Sequence, residues 1–395
     1  MGIGFLPLIL VAGALQGLLL ACLLLTRHAN RRANGLLALL LVLLSVQSVL
    51  VAFDNRAFFL QFPHLSKVGW LLPSLFGPLL YLYVRQLTEP PRGSWRDAVH
   101  LVPFFACLCV LLPYYVQPAA EKIAYLDDFE RASQDDFGWL NQALNGLHVV
   151  YLGIALYTLQ RYQRQLQEMY SDAQALRLRW LWQLLGFMLG ILVISIPTFY
   201  ARKWGWWGLA AFYHYHYLGV IGCIYWMGYR ALTQPQLFNP ALNVRGAREA
   251  ASLPAVADPP TAVPEPPAKY QRSALKEEET AVYHERLLRH MQHARPYRQS
   301  TLTIQELADQ LELPRHHLSQ LINEQLGKNF YDFVNGYRVE EAKQLLWDEE
   351  YRHLTILGIA EEAGFNSKAT FNAVFKKQTG QTPSEFMRKN ARELV

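Results

Sequence analysis

The chain has 395 residues, of which 52% are hydrophobic and 17% charged, and a formal net charge of +5. That length suits two or three domains, and so small a charge excludes a protein that finds its partner through an overall acidic or basic field. The four cysteines, Cys22, Cys107, Cys109 and Cys223, all lie inside apolar runs. This argues against a disulfide framework or a zinc cluster and leaves them as small buried or lipid-facing groups.

Before Arg230 the sequence is a series of apolar runs. Seven stretches are close to the roughly 20 apolar residues a bilayer crossing needs: 4–25, 35–53, 68–87, 99–116, 138–160, 180–200 and 206–229. The first lacks the basic start of a signal peptide, its apolar run is too long for one, and Arg27, Arg31 and Arg32 follow it. It reads as a retained helix. The first, third and fifth connections, counting Arg85 at the edge of the third, together carry ten Lys/Arg, against six in the second, fourth and sixth. Because basic loops stay inside, the expected location is a bacterial inner (cytoplasmic) membrane. The N-terminus then lies outside and everything past Arg230 in the cytoplasm.

Asn141, Asn145 and His148 in the fifth stretch are spaced to share one helix face. They either hydrogen-bond to neighbouring helices or form a sensing face for an unknown signal ligand. The YHYHY run with its nearby tryptophans reads as an interfacial aromatic belt, and Pro73, Gly77, Pro78 and Pro197 as kinks. A Pro/Ala-rich tether over 236–270 then separates the membrane domain, 1–235, from a terminal domain, 271–395.

The terminal domain contains 17 Lys/Arg and 18 Asp/Glu from Tyr270 onward, so attraction to phosphate must come from local clustering. Its first expected helix covers 276–293. Thr303–Glu306 is a capping box opening a helix that ends near Leu311. A second helix runs from Pro314 to Leu326 and a long central one from Tyr331 to Trp347. Thr355 caps the next, Gly364 turns the chain, and Ser367 caps a helix over 368–379 that Gly380 ends. One pattern thus occurs twice, as ELADQLELPRHHLSQLINEQLG and GIAEEAGFNSKATFNAVFKKQTG. The fold class is therefore all-α: a multi-span membrane bundle of about seven helices, and a small all-α domain with two helix-turn-helix motifs.

In each copy the second helix has the size and polarity to enter the major groove of double-stranded DNA. Leu318/Ile322 and Phe371/Phe375 face inward. The outward, base-facing candidates are Arg315, His316, Ser319, Gln320 and Asn323 in the first copy and Lys368, Thr370 and Asn372 in the second, with Lys376 and Lys377 placed for phosphates. Residues 283–388 resemble the C-terminal domain of AraC/XylS-type bacterial transcription regulators, through NGYRVEEAKQLL, LSQLINEQLG and the GF-x-S-x(3)-F-x(3)-FK-x(3)-G-x-TP-x-x-F pattern of the second copy. The resemblance implies seven helices and two recognition helices in neighbouring major-groove segments. It implies base contacts from His316, Ser319, Gln320, Lys368, Thr370 and Asn372. Glu312 stands where that family usually has a turn glycine, and Pro314 where it usually has a Ser cap.

The sequence therefore predicts a membrane-anchored transcription regulator that couples a signal at the bundle to gene expression. Its expected partners are DNA and the lipid bilayer, with RNA polymerase and a second copy of the chain as further candidates. No catalytic residue, metal site or cofactor is expected. The alternatives are a transporter or membrane enzyme with a regulatory tail, or a bundle that is only an anchor.

Overall fold

In the first long helix, Leu10, Gly13, Ala14, Gly17, Leu20, Ala21 and Leu24 recur three and four residues apart, and these are the residues the computed structural model buries. The structure describes residues 5–27, 30–89, 95–128, 132, 139–172, 178–233 and 277–393. Among them every regular element is a helix, and the one β-type pairing is an isolated bridge between Tyr170 and Thr303. The tether expected over 236–270 lies outside the described residues.

The chain divides into two compact units, residues 1–160 with 178–255, and residues 161–177 with 256–395. The division differs from a linear one in a single respect: the segment between the fifth and sixth expected spans belongs with the terminal domain.

The first unit contains α1 (Phe5–Leu25), α2 (Arg31–Ala52), α3 (Pro73–Thr88), α4 (Val102–Tyr115), α5 (Leu140–Met169), α6 (Arg179–Lys203) and α7 (His216–Thr233). The last turns of α5 extend into the second unit. Helix α1 packs on α2 and α7 through its glycines. A Cβ on Gly13 would stand 2.3 Å from Ile221, and one on Gly17 2.3 Å from Ser45. Such small-residue seams let apolar helices approach where lipid offers no hydrophobic drive.

Among the described residues, four helices are long and apolar enough to cross a membrane: Phe5–Leu25, Arg31–Ala52, Arg96–Tyr115 and Arg179–Lys203. The pair Pro63–Leu71 and Pro73–Thr88, bent by 40°, makes a fifth if counted as one span. The bend falls at Pro73, while Pro78 lies inside α3. The described residues of the expected spans 138–160 and 206–229 are largely helical but do not meet that description. Asn141, Gln142, Asn145 and His148 make the start of α5 polar, and the other stretch breaks into Trp207–Ala210, Tyr213–Tyr215 and α7.

The second unit contains α8 (Glu277–His293), α9 (Ile304–Gln310), α10 (Arg315–Gln320), α11 (Phe330–Leu345), α12 (Ile356–Glu362), α13 (Lys368–Thr379) and α14 (Pro383–Glu393). It has two cores that share α11. Phe333 and Val334 join Leu287, Met291, Leu307, Leu318 and Ile322 in one, with Met169 from the end of α5 packed against it. Tyr331, Val339 and Ala342 join Ile359, Phe365, Phe371 and Phe375 in the other.

The caps read from the sequence are present. Thr303 and Glu306 form the reciprocal box, Thr355 Oγ1 accepts from Gly358 N at 3.2 Å, and Ser367 Oγ accepts from Thr370 N at 3.1 Å. Pro314 is not the first helical residue but the cap before it.

Gly364 has a φ of +93°, and a Cβ there would lie 2.4 Å from the carbonyl oxygen of Tyr297 and 2.8 Å from Arg298 Cα. Both the backbone conformation and the space therefore require glycine. Gly364→Ala should cost about 3 kcal/mol or more, combining left-handed strain with a backbone collision. Hydrogen exchange on the full chain would detect this as lost protection across α11–α13, and wild-type protection there would contradict it.

Candidate nucleic-acid interface

The two helical pairs repeat each other in hydrogen bonding as well as in sequence. Leu313 N donates to Ala308 O at 2.9 Å and Phe365 N to Ala360 O at 2.8 Å. Thr303 and Thr355, Ala308 and Ala360, and Leu313 and Phe365 are each 52 residues apart. Past the turn the offset becomes 53: Leu318 matches Phe371, Leu321 matches Val374, Ile322 matches Phe375, and Gly327 matches Gly380. All six of these apolar side chains are buried. The second turn is thus one residue longer.

That extra residue decides which side chains reach the surface. In the first copy His316 and Asn323 are exposed, and Arg315, Ser319 and Gln320 half-buried. In the second the equivalent face holds Lys368, Asn372 and Lys376, with Ala369 and Ala373 between them; the lysines and alanines are exposed and Asn372 is half-buried. Thr370 does not belong to this face. It is 2% exposed, and its hydroxyl lies 2.9 Å from the Ser367 capping hydroxyl. It is a turn residue, and the outward placement expected from the sequence is corrected here.

Lys377 is exposed, but its ammonium donates to Asp332 Oδ1 at 2.8 Å, so Lys376 has the freer charge of the two. Gln320 Nε2 donates to Glu324 Oε2 at 2.9 Å and Asn323 Nδ2 to Ser319 Oγ at 3.4 Å. Beyond Gln320 the chain continues from α10 into a π-turn over Leu321–Gln325, a distortion common at functional sites.

Behind these faces lies a residue the sequence did not single out. Arg338 of α11 is fully buried. Its Nε donates to Tyr297 O at 2.7 Å, and its Nη2 to Gln299 O at 2.7 Å and to Ser171 Oγ at 3.0 Å. Its Nη1 donates to Asn335 Oδ1 at 3.2 Å and Ser171 O at 3.3 Å. Burial lowers its pKa to about 10, which leaves it charged at neutral pH.

Ser171 N donates to Leu302 O at 3.1 Å, and Asn335 Nδ2 donates to Ser171 O at 2.9 Å. Arg338 stood inside the quoted NGYRVEEAKQLL motif, where a charge amid apolar positions was the available signal. Nothing in YSD around Ser171 points to this contact.

In the first unit, Asn141, Asn145 and His148 line one cavity of about 290 Å³ together with Gln47, Ser195 and Tyr217. His148 Nε2 lies 2.9 Å from Pro73 O, and Gln47 Nε2 donates to Tyr217 OH at 3.1 Å. Asn145 Nδ2 and Gln47 Oε1 are buried without a hydrogen-bond partner. Sequence reading missed Gln47, although Ser45, Gln47 and Ser48 interrupt an apolar run. Among the described residues no group of His, Cys, Asp and Glu is arranged to hold a metal.

Residues 307–389 match the family model described as a helix-turn-helix domain. Over 85 residues the chain is 39% identical to an uncharacterized HTH-type transcriptional regulator of Staphylococcus aureus, covering 22% of this chain and 11% of that protein. Over 82 residues it is 38% identical to the uncharacterized transcriptional regulatory protein YesN of Bacillus subtilis, covering 20% of this chain and 22% of that one. The chain therefore spans only a small part of the curated relatives it matches. No solved structure matches it. The C-terminal part is a helix-turn-helix domain of the kind found in transcriptional regulators.

Glu341, one turn beyond Arg338, is 5% exposed. Burial pushes its carboxyl pKa up. Hydrogen bonds from Arg298 and Tyr297 and the charges of Arg298 and Arg295 outweigh this and hold it below the usual range. A depressed carboxylate stabilises the fold above the unfolded value of about 4.3 and ceases to as pH falls through the folded value. Protection of α11 in the full chain, corrected for intrinsic exchange, should therefore fall in acid below about pH 4.3. Glu341→Gln should flatten that dependence; a variant with the wild-type acid profile would remove Glu341 as its source.

Proposed function

We propose that the protein is a membrane-anchored, sequence-specific DNA-binding regulator whose apolar bundle receives a signal and whose paired helix-turn-helix lobes read a promoter. The observation that carries the DNA-reading half is the repeated lobe. Two helices with matching buried positions present Arg315, His316, Ser319, Gln320 and Asn323 on one and Lys368, Asn372 and Lys376 on the other. Arg, Lys, Gln and Asn are the side chains that pair with base edges or phosphates in the major groove. In keeping with this, the curated relatives are described as transcriptional regulators.

Membrane anchoring is supported by the four or five helices long and apolar enough to cross a bilayer. The excess of basic residues in alternate loops supports a cytoplasmic DNA-binding domain in a bacterial inner membrane. A seven-span count takes in α5 and α7, whose polar residues then face the bundle interior.

Signal coupling is supported by the continuity of α5. That helix carries Asn141, Asn145 and His148 at its start, and just past its end Ser171 enters the Arg338 site. A second copy of the chain would bring two such readers to adjacent half-sites, and RNA polymerase is the partner an activator would need.

In footprints of the full chain in membrane vesicles, Lys368→Ala and Gln320→Ala should each weaken specific over random DNA by about tenfold, as loss of one base contact does. Wild-type footprints from both would refute the assigned faces. Ser171→Ala removes only the hydroxyl from the Arg338 site, where Nη2 keeps Gln299 O, and leaves the Ser171 backbone bonds intact. It should leave DNA affinity near wild type and weaken the response of a reporter to the signal; an unchanged response would remove the α5 route.

A further inference from the structure

The cavity of the first unit changes character along its length. At one end α2 and α6 finish and α3, α5 and α7 begin, and there the wall is polar. It is formed by Asp54 just past α2, Lys67 ahead of α3, Asn141 in the first turn of α5, Arg202 in the last turn of α6 and His216 at the start of α7. Farther along the same five helices the wall is hydrocarbon: Leu40 and Leu44 of α2, Leu80 of α3, Leu152 of α5, Met188 of α6 and Val220 of α7. Gln47, Asn145 and His148 hold intermediate positions. Such a gradient suits an amphiphile that enters tail first, its chain leaving water for the far wall and its head staying at the charged end.

The sign of the head follows from the charges at that end. Among the described residues lining the cavity, Lys67 and Arg202 are the cations and Asp54 the anion, two against one. Lys67 Nζ lies 4.9 Å from the ring centroid of Trp70 and the Arg202 guanidinium 5.5 Å from that of Tyr213, and both aromatic residues also line the cavity. A single negative charge on the occupant balances this excess, whereas a cationic head would add to it. At about 290 Å³, and about 30 Å³ for each water-sized group, the site holds on the order of ten heavy atoms. That is the size of octanoate.

We infer that this cavity binds a monoanionic amphiphile of medium chain length, a fatty carboxylate by its size, with the head at the end of Lys67 and Arg202 and the chain along Leu80, Leu152 and Met188. The inference rests on the reading of the bundle as a signal receiver and names the class of signal.

The test uses the full chain in phosphatidylcholine nanodiscs at neutral pH, with tritiated octanoate as probe and empty nanodiscs as background. Saturable binding above that background is expected. Unlabelled octanoate should compete about tenfold better than octanol, which lacks the charge, or octylamine, which reverses it. Along the alkanoates, affinity should rise about fourfold per methylene and stop rising near decanoate, where the cavity is full; partition into lipid would continue to rise. Met188→Trp narrows the apolar end and should reverse the preference for octanoate over hexanoate. Arg202→Gln should weaken octanoate about tenfold and leave octanol unchanged. Competition on the wild-type chain keeps the test decisive if either variant fails to fold.

Equal competition by octanol would reduce the cavity to an apolar sink and overturn the proposal. So would stronger competition by octylamine, which would make the ligand a cation, or affinity that climbs steadily through palmitate, which would make the signal lipid partition. The absence of saturable binding would overturn it as well. If octanoate binds as described but leaves reporter output unchanged, the ligand class stands and the signal-receiving role falls. If reporter output depends on the bundle while octanoate does not bind, the reverse holds.

Discussion

The second unit depends on how Arg338 is buried. Moving a guanidinium out of water costs several kcal/mol unless its donors are all engaged, and here each of its three nitrogens finds acceptors. What those acceptors belong to matters more than their number. Tyr297 O and Gln299 O lie just before the first helix-turn-helix lobe, Asn335 lies on the shared helix, and Ser171 arrives from the loop after α5. The guanidinium also lies 5.8 Å from the ring centroid of Phe365, in the turn of the second lobe. A single cation thus joins both lobes, the helix between them and a segment far away in sequence. Its planar fork of donors explains why lysine would not serve.

Gly364 completes the arrangement from the other side. Its bare Cα approaches the Tyr297–Arg298 backbone, the strand of chain whose carbonyls Arg338 holds. The packing of the two lobes on α11 therefore rests on a close backbone approach and a buried charge. This suits a reader whose two helices would have to meet successive major-groove segments. The first lobe is built less economically. Glu312 occupies the position of Gly364 with a φ of +50°, a conformation that costs a non-glycine residue about 1–2 kcal/mol. Its pairing with Arg286 at 3.4 Å is between exposed groups and returns little.

Much of this was legible in the sequence because it is local. Caps, turn glycines and four-residue apolar spacing act within a few residues, so Thr303, Thr355, Ser367, Gly364 and Gly380 could be placed one by one. Thr370 was misplaced although Leu318/Ile322 and Phe371/Phe375 were matched correctly: its polar side chain reads as outward, but its hydroxyl is taken into the Ser367 cap, and its burial leaves no trace in the spacing of apolar residues. The Ser171–Arg338 contact spans 167 positions and leaves no periodic trace. In the first unit, Asn141, Asn145 and His148 were singled out because three polar residues on one face of an apolar helix are costly. Gln47 escaped because its hydrogen-bond partner, Tyr217, lies 170 positions away, and burial alone distinguishes it from a polar residue at a helix–helix seam.

Helix α5 links the two kinds of evidence. At 30 residues and 1.5 Å rise per residue it is about 45 Å long, with cavity-lining amides in its first turns and Ser171 two residues past its end. Pro78, Pro113 and Pro197 interrupt α3, α4 and α6, but α5 contains no proline. A continuous hydrogen-bonded helix transmits rotation and axial displacement, whereas a kinked one absorbs them. Just past the helix, Ser171 has its carbonyl held by Asn335 and Arg338 and its hydroxyl by Arg338. Interfaces of that kind switch between discrete packings and do not deform smoothly. Under the proposed coupling, a shift of Ser171 would therefore have either no effect on the lobes or a large one.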